Sequence, residues 1–281
     1  MAFPETNTKS SLHIRSNSLP SSPHSLVSEC EEHLQRLKNT EATSSVPSSS
    51  LVSQKLNGLL DLHDCIDWLL QLPIKQQELA RECNDKSVDD TLEGSLKLLD
   101  ICSELKDFLL MSKEIMYELQ SVIRRRRSNE TGLKVEGAKY LASRKKLNKA
   151  IRKSLGNLKA MKHECVEDRT STIISILKEA EQVTVSSLES MLMLICDQPK
   201  HRRWSTISKM LQPKRIACDS QESETNEFEK VDAALKSSSF EQFQSHVENL
   251  EMCIQDLEIG VENLSRKLIR NRVSLLNIFN H

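Results

Sequence analysis

The C-terminal segment of the chain carries the feature that most restricts its fold. Between residues 240 and 278, apolar residues recur at alternating steps of three and four, which is the spacing of a helix that buries one face along its whole length. A single polar residue interrupts the series. The predicted seam of this helix consists of Phe243, Val247, Leu250, Ile254, Leu257, Val261, Leu264, Leu268, Asn271 and Leu275.

Two kinds of structure can use such a seam. It can be the core face of a long helix inside a monomeric bundle, or it can pair with a second copy of the chain in a coiled coil. In a coiled coil, a buried Asn such as Asn271 specifies register or oligomeric state. We favour the bundle, because the helices predicted upstream need an apolar partner. A homo-oligomer is the alternative.

The rest of the sequence also predicts helices. The 281 residues include only 6 glycines and 7 prolines, and 4% are aromatic. Runs of β-branched and aromatic residues with period two, the pattern of strands, are absent. We therefore predict an all-α fold, an elongated antiparallel helix bundle with a disordered Ser-rich N-terminus and a long C-terminal heptad-patterned helix. The upstream helices are predicted at residues 26–38, 51–72, 87–127, 138–164 and 171–196, with a polar break at Gly132 and Gly137.

The composition divides the chain into two regions. Fourteen serines fall within the first 53 positions, so residues 1–50 are predicted to be disordered, with one short helix. Residues 51–281 are predicted to form the helical bundle. A connection at residues 199–226 is predicted to be mobile, because loops of this length are uncommon inside compact domains.

Charge is unevenly distributed, although the net charge is only −1. Residues 124–162 contain 14 Lys and Arg and 2 acidic residues, whereas residues 219–262 contain 12 acidic residues and 2 lysines. Either these segments attract each other within the fold, or the basic one binds an anionic lipid surface or an acidic partner. The candidate basic surface, on a helix with one apolar face, consists of Lys145, Lys146, Lys149, Arg152 and Lys153.

The N-terminal region contains a candidate phosphorylation site. Arg15, Ser16, Ser18 and Pro20 match the Arg-Ser-x-phosphoserine-x-Pro pattern that 14-3-3 proteins bind, with Ser18 as the phosphate acceptor. Phosphorylation would add a charge of about −2, which an arginine cluster can bind. Ser205 closely follows a pair of arginines and is a second candidate phosphosite.

The sequence shows no motif for catalysis or for a cofactor. It has no glycine-rich phosphate loop and no His-Glu-x-x-His, and the adjacent His63, Asp64 and Cys65 point in different directions on a helix. The eight cysteines include no Cys-x-x-Cys pair, which predicts free thiols in a reducing compartment and no metal site. We expect a protein that is not an enzyme and has no cofactor. Nucleic acid binding is not expected, because no base-reading motif accompanies the basic stretch.

Several stretches that span nearly the whole chain carry a family resemblance. They include "HIRSNSLPSSPHS", "LLDLHDCIDWLLQLPIKQQELA", "LQSVIRRRR", "YLASRKKLNKAIRKSLGNLK" and "LEMCIQDLEIGVENLSRKLIRNRVSLLNIFNH". Together they resemble the plant-specific family that contains the BYPASS root-and-shoot signalling proteins. The resemblance implies a plant protein with a helical fold and a link to development, and it supplies no catalytic residue or substrate.

These observations predict a non-catalytic regulatory or interaction protein with protein partners, among them 14-3-3-type phosphoserine readers. The alternative is a peripheral membrane protein that uses the basic amphipathic helix. We expect a cytoplasmic location, because no secretory signal is visible and no apolar run reaches the roughly 20 residues of a membrane span. A plastid location and a peripheral location at a membrane are the alternatives.

Overall fold

Helices make up nearly all of the structure, a computed structural model that describes residues 25–42, 48–82, 85–126, 130–161, 172–196, 226–237 and 240–280. These residues form eight helices and no strand, so the predicted all-α fold is confirmed. The helices are α1 Ser25–Ala42, α2 Ser49–Gln71, α3 Pro73–Glu82, α4 Asp85–Arg126, α5 Glu130–Met161, α6 Thr172–Ile195, α7 Glu227–Ser237 and α8 Phe240–Phe279. The predictions of disorder at residues 1–50, apart from one helix, and of a mobile connection at residues 199–226 fall mainly on residues 1–24, 43–47 and 197–225, which lie outside the described residues.

A proline separates α2 from α3. Ser48 caps α2 by accepting a hydrogen bond from the backbone N–H of Leu51. Pro73 cannot continue α2, because it has no backbone N–H, but proline is well placed in the first turn of a helix. It therefore begins α3, a short helix that the sequence analysis did not predict.

Helix α5 begins earlier than predicted. The polar break expected at Gly132 and Gly137 is wrong, because both glycines lie within α5. Gly137 packs against α7, where an added Cβ would lie 3.2 Å from Leu235 Cδ2. A glycine in a helix costs about 1 kcal/mol relative to alanine, and here it allows the two helices to approach closely.

Helix α7 is a second helix that the sequence analysis missed. The Asn226 side-chain oxygen caps it by accepting a hydrogen bond from the backbone N–H of Glu229. Glu227 and Glu229 in the first turn interact favourably with the positive end of the helix dipole. The cap, Asn226, is the last residue of the predicted connection, and α7 begins at the next residue.

Helix α8 packs against α2, α4 and α7. It runs antiparallel to α4, since Lys106 pairs with Glu262 and Lys113, further along α4, pairs with the earlier Glu258. The pairs α1–α2 and α2–α6 are also antiparallel. The pairs α4–α8, α1–α2 and α2–α6 therefore have the predicted antiparallel arrangement.

Helices α2 and α8, in contrast, run parallel. Leu56 of α2 lies against Gly260 of α8, and further along both helices Asp64 pairs with Lys267. A Cβ at Gly260 would collide with Leu56 Cδ2, so the absence of a side chain permits this close approach. The packing explains a glycine in the middle of the heptad series, where it would otherwise only weaken the helix.

One hydrophobic core joins all eight helices. Helix α1 contributes Val27, Cys30, Leu34 and Leu37, so the packed structure includes residues that precede position 51. Helix α5 contributes one apolar stripe and turns its opposite side to solvent. The core thus fixes which face of each helix can meet a partner.

Candidate interaction surface

The ten residues of the predicted seam lie inside a single chain. All of them are buried on the side of α8 that faces the core. A second copy of the chain could pair with this seam only if the bundle opened.

Asn271, the polar residue of the seam, pairs with α2. Its Nδ2 donates to His63 Nδ1 at 3.0 Å and to the His63 carbonyl oxygen at 3.3 Å. On the other side of the ring, His63 Nε2 lies 3.0 Å from Thr184 Oγ1 of α6, and that hydroxyl donates to the Ala180 carbonyl oxygen. The donors run in one direction from Asn271 to Thr184, which requires a neutral imidazole. The network ties α2, α6 and α8 together in one register.

Burial keeps His63 neutral. Loss of hydration, aided by the positive charge of Lys267, lowers the pKa of His63 to about 4, although the negative charge of Asp64 acts in the opposite direction. At neutral pH the ring therefore carries no charge, as the hydrogen-bond network requires.

The adjacent His63, Asp64 and Cys65 contact different helices. His63 points to α6 and α8, Asp64 forms ion pairs with α8, and Cys65 faces Cys30 of α1. The three side chains do not converge on a shared site.

The outward face of α5 is strongly basic. All five residues of the candidate surface are exposed, and so are Lys139 and Lys159 on the same helix. Between residues 135 and 159, no exposed position of α5 is acidic. We call these seven cations the basic face: Lys139, Lys145, Lys146, Lys149, Arg152, Lys153 and Lys159.

The inward face of α5 is occupied by the bundle. Tyr140, Leu147, Ile151 and Leu158 are all buried in the core. The apolar stripe of the predicted amphipathic helix is therefore covered by other helices of the same chain, and the basic face is the side that a partner can reach.

Arg144 interrupts the apolar stripe of α5 and joins three helices. The residue is 2% exposed. Its Nη2 donates to the Ile195 carbonyl oxygen at 2.9 Å, its guanidinium lies 4.8 Å from the ring centroid of Phe228, and its Nε lies 3.9 Å from Asp232 Oδ2. Arg144 thereby links the end of α6 to α7, the two helices that flank residues 197–225.

The role of Arg144 was not predicted from the sequence, although the sequence contains a signal for it. Arg144 follows Tyr140 by four residues and precedes Leu147 by three, which places a charge on the apolar stripe.

Asn226 strengthens the junction between α6 and α7, because its Nδ2 donates to the Leu194 carbonyl oxygen at 3.0 Å.

Three acidic residues of the segment at residues 219–262 form ion pairs away from the basic face. Glu258 and Glu262 form ion pairs with lysines of α4. The ion pair between Asp232 and Arg144 lies on the buried side of α5. Five cations of the basic face form no ion pair with any described residue: Lys145, Lys146, Lys149, Lys153 and Lys159. The ion pairs of Glu258, Glu262 and Asp232 with α4 and Arg144 therefore leave these five lysines without an acidic partner among the described residues.

A surface cavity of about 270 Å³ lies between α2, α7 and α8. Its lining includes Ser49, His246 and Cys253. Ser49 donates a hydrogen bond to the Glu227 carboxylate. Burial raises the pKa of Cys253 to about 12, so its thiol is protonated at neutral pH. The Cys253 thiol is therefore not prepared to act as a nucleophile.

Other sequence predictions fall on residues that the structure does not describe. Arg15, Ser16, Ser18, Pro20 and Ser205 all lie outside the described residues. Among those that are described, no group of His, Cys, Asp or Glu side chains could hold a metal ion, and no helix has the length and apolar character to cross a bilayer.

Comparison with known proteins identifies the family of the chain. No curated protein matches it, and no solved structure matches it. The profile of the family described as Protein BPS1 matches residues 55–278, from α2 to the end of α8, which is most of the chain. The resemblance inferred from the sequence is thus confirmed, and the chain belongs to the BPS1 family, the BYPASS-like family of plant regulatory proteins linked to development.

Proposed function

We propose that this protein is a non-catalytic interaction protein that binds anionic membrane surfaces through the basic face of α5. The observation that carries the proposal is the composition of that face, which combines seven exposed cations with no exposed acidic residue between positions 135 and 159. A negatively charged surface is the partner that this charge pattern complements.

The lack of apolar anchors on the same face favours a lipid surface over a protein. Val135 is the one large apolar side chain of α5 that is exposed among the described residues. Tight protein interfaces depend on aromatic or aliphatic side chains that fill pockets at their centre. An anionic bilayer requires only positive charge, and alanines and a glycine occupy exposed positions between the cations.

The magnitude of the attraction is sufficient for reversible binding. Each Lys or Arg near an anionic leaflet contributes about 1 kcal/mol, and the cytoplasmic leaflet is the anionic one. The 32 residues of α5 span about 48 Å, so many cations can contact the surface together. Because the apolar stripe of α5 is buried in the bundle, binding should be electrostatic and should weaken with salt. A cytoplasmic location, which we also propose, agrees with this.

Co-sedimentation with vesicles tests the proposal. The full chain should bind phosphatidylcholine vesicles that contain phosphatidylserine at low salt, and it should be released by added salt. A basic-face variant should lose this binding while it keeps its helical circular dichroism spectrum. The variant carries Lys145→Glu, Lys146→Glu, Lys149→Glu and Lys153→Glu.

A charge-matched control distinguishes the effect of the basic face from the effect of the net charge of the protein. The control variant changes the net charge by the same amount at exposed positions on other helices and should keep its binding. It carries Arg36→Glu, Arg81→Glu, Lys86→Glu and Arg266→Glu. Equal loss of binding in the two variants would contradict a specific role for α5, and so would equal binding of the wild type to vesicles without phosphatidylserine.

A second proposed function rests on the N-terminal motif. Arg15, Ser16 and Pro20 place Ser18 in the pattern that 14-3-3 proteins bind, so we propose that phosphorylated Ser18 binds a reader of this type. The test is binding of the full chain, phosphorylated by a basophilic kinase, to a purified 14-3-3 protein. Ser18→Ala should abolish binding and Ser205→Ala should retain it. Binding that survives Ser18→Ala would refute the assignment.

A further inference from the structure

Cys30 of α1 and Cys65 of α2 face each other in the core. Their Sγ atoms are 2.7 Å apart, and the two residues are 0% and 1% exposed. They are separated by 35 residues, so no spacing motif in the sequence indicates the pair.

The packing of the two helices holds the sulfurs together. Leu37 follows Cys30 by seven residues on α1, and Gly58 precedes Cys65 by seven residues on α2. Leu37 occupies the space that a side chain at Gly58 would need, since an added Cβ would lie 2.9 Å from Leu37 Cδ2. The contacts Cys30–Cys65 and Leu37–Gly58 lie two helical turns apart and fix the antiparallel register of α1 and α2. The sulfurs are therefore close because of regular packing between the two helices.

The hydrogen bonds give the two thiols different pKa values. Cys65 Sγ donates to the Leu26 carbonyl oxygen at 3.4 Å, which leaves Cys30 as the donor in the contact between the sulfurs. Donation from Cys30 lowers the pKa of the Cys65 thiol and raises that of Cys30. Cys65 is therefore the sulfur that ionises first, and a thiolate is the nucleophilic form of cysteine.

We propose that Cys30 and Cys65 are an oxidisable pair that forms an intrachain disulfide between α1 and α2, with hydrogen peroxide as the oxidant. The Cys65 thiolate attacks one peroxide oxygen, the O–O bond breaks, and hydroxide leaves and takes up a proton to give water. Cys65 is then a sulfenic acid. The Cys30 sulfur gives up its proton and attacks the Cys65 sulfur, the S–O bond breaks, and a second water leaves. Two thiols lose two electrons in total, and one peroxide is reduced to two waters.

The position of the pair determines what the disulfide would do. Both sulfurs are buried, so peroxide reaches them through local opening of the packing around the pair. The new bond would then prevent α1 from separating from α2. Helix α1 precedes the residues matched by the family profile, so the disulfide would fasten a helix outside that region to one inside it.

The other cysteines whose side chains the structure describes are not arranged in this way. Burial raises the pKa values of Cys102 and Cys253 to about 12. Cys196 Sγ lies 3.8 Å from the Asn148 carbonyl oxygen. These three thiols are internal controls for any oxidation experiment.

Peptide mapping of the full chain tests the proposal. Reduced protein is treated with hydrogen peroxide, free thiols are blocked with N-ethylmaleimide, and the chain is digested without reductant for mass spectrometry. We expect a linked peptide that contains Cys30 and Cys65, which is lost in Cys30→Ser and in Cys65→Ser and retained in Cys102→Ser. Recovery of both cysteines as blocked thiols, or links that mainly involve other cysteines, would overturn the proposal.

A measurement on the wild type alone keeps the test independent of variant folding. Hydrogen exchange of the α1 backbone amides should become slower after oxidation and should return to its original rate after reduction with dithiothreitol. Exchange in α1 that oxidation leaves unchanged would contradict the proposed fastening of α1 to α2.

Discussion

Helices α8 and α5 both bury one apolar stripe, but they use their charges differently. The charged residues beside the α8 seam pair with neighbouring helices, as Glu258 does with Lys113 and Lys267 does with Asp64. The basic face of α5 points to solvent, and no position of α5 between residues 135 and 159 is both exposed and acidic. The difference distinguishes charges that set the register between helices from charges that are available to a partner.

The same contrast occurs within α5 between two adjacent residues. Arg144 is buried and contacts α6 and α7, whereas Lys145 is exposed on the basic face. A residue's position on the helix therefore decides whether its positive charge stabilises the fold or faces outward.

Replacing these two residues should give the largest difference in stability. Arg144→Met removes the contacts to α6 and α7 and leaves the buried Asp232 without this cation, so the free energy of unfolding should fall by about 3–5 kcal/mol. Lys145→Met should change it by less than about 0.5 kcal/mol, as is usual for an exposed site. Urea denaturation followed by circular dichroism measures both values. Equal effects would contradict the division between inward and outward charges.

Acidification should weaken the junction of α2, α6 and α8 through His63. The pKa of His63 is lowered to about 4 in the folded chain, so below its usual value of 6.5 the unfolded chain binds more protons than the folded one. The free energy of unfolding should therefore fall as the pH decreases from 6.5 to 4, with a contribution from His63 of about 3 kcal/mol. Denaturation of the wild type and of His63→Gln across this range isolates the contribution. If the two proteins lose stability in parallel, His63 is not the titrating group.

The polar residue of the α8 seam should affect stability and leave assembly unchanged. Asn271→Leu removes two donated hydrogen bonds to His63 and should cost about 1–3 kcal/mol. Light scattering after size exclusion should give the same molar mass for the variant and the wild type, because the seam is buried within one chain. A change in molar mass would indicate that Asn271 lies between chains.

Two glycines should respond to the same substitution with opposite signs. Gly260→Ala should lower the free energy of unfolding by about 1–3 kcal/mol, because the new Cβ would collide with Leu56. Gly156 of α5 has no atom within 4 Å of such a Cβ, so Gly156→Ala should raise stability by about 1 kcal/mol through helix propensity. Thermal denaturation of the two variants measures the signs. Stabilisation by both would show that α2 and α8 are not packed closely at Gly260.

The sequence periodicity indicated which residues of α8 and α5 are buried, because that is a property of each helix taken alone. It could not indicate which helix covers each face. The parallel pairing of α2 with α8, the contact between Asn271 and His63, and the contact between Cys30 and Cys65 all depend on the three-dimensional arrangement. Helices α3 and α7 were missed because short helices gain most of their stability from packing and have a weak local signal.

Vesicle binding by the wild type, the basic-face variant and the charge-matched control is the most direct test of the central claim, which is that α5 presents a surface for an anionic partner. The claim predicts that the wild type and the control co-sediment with vesicles containing phosphatidylserine at low salt, and that the basic-face variant stays in solution with an unchanged free energy of unfolding. Binding by the basic-face variant equal to that of the wild type would contradict it.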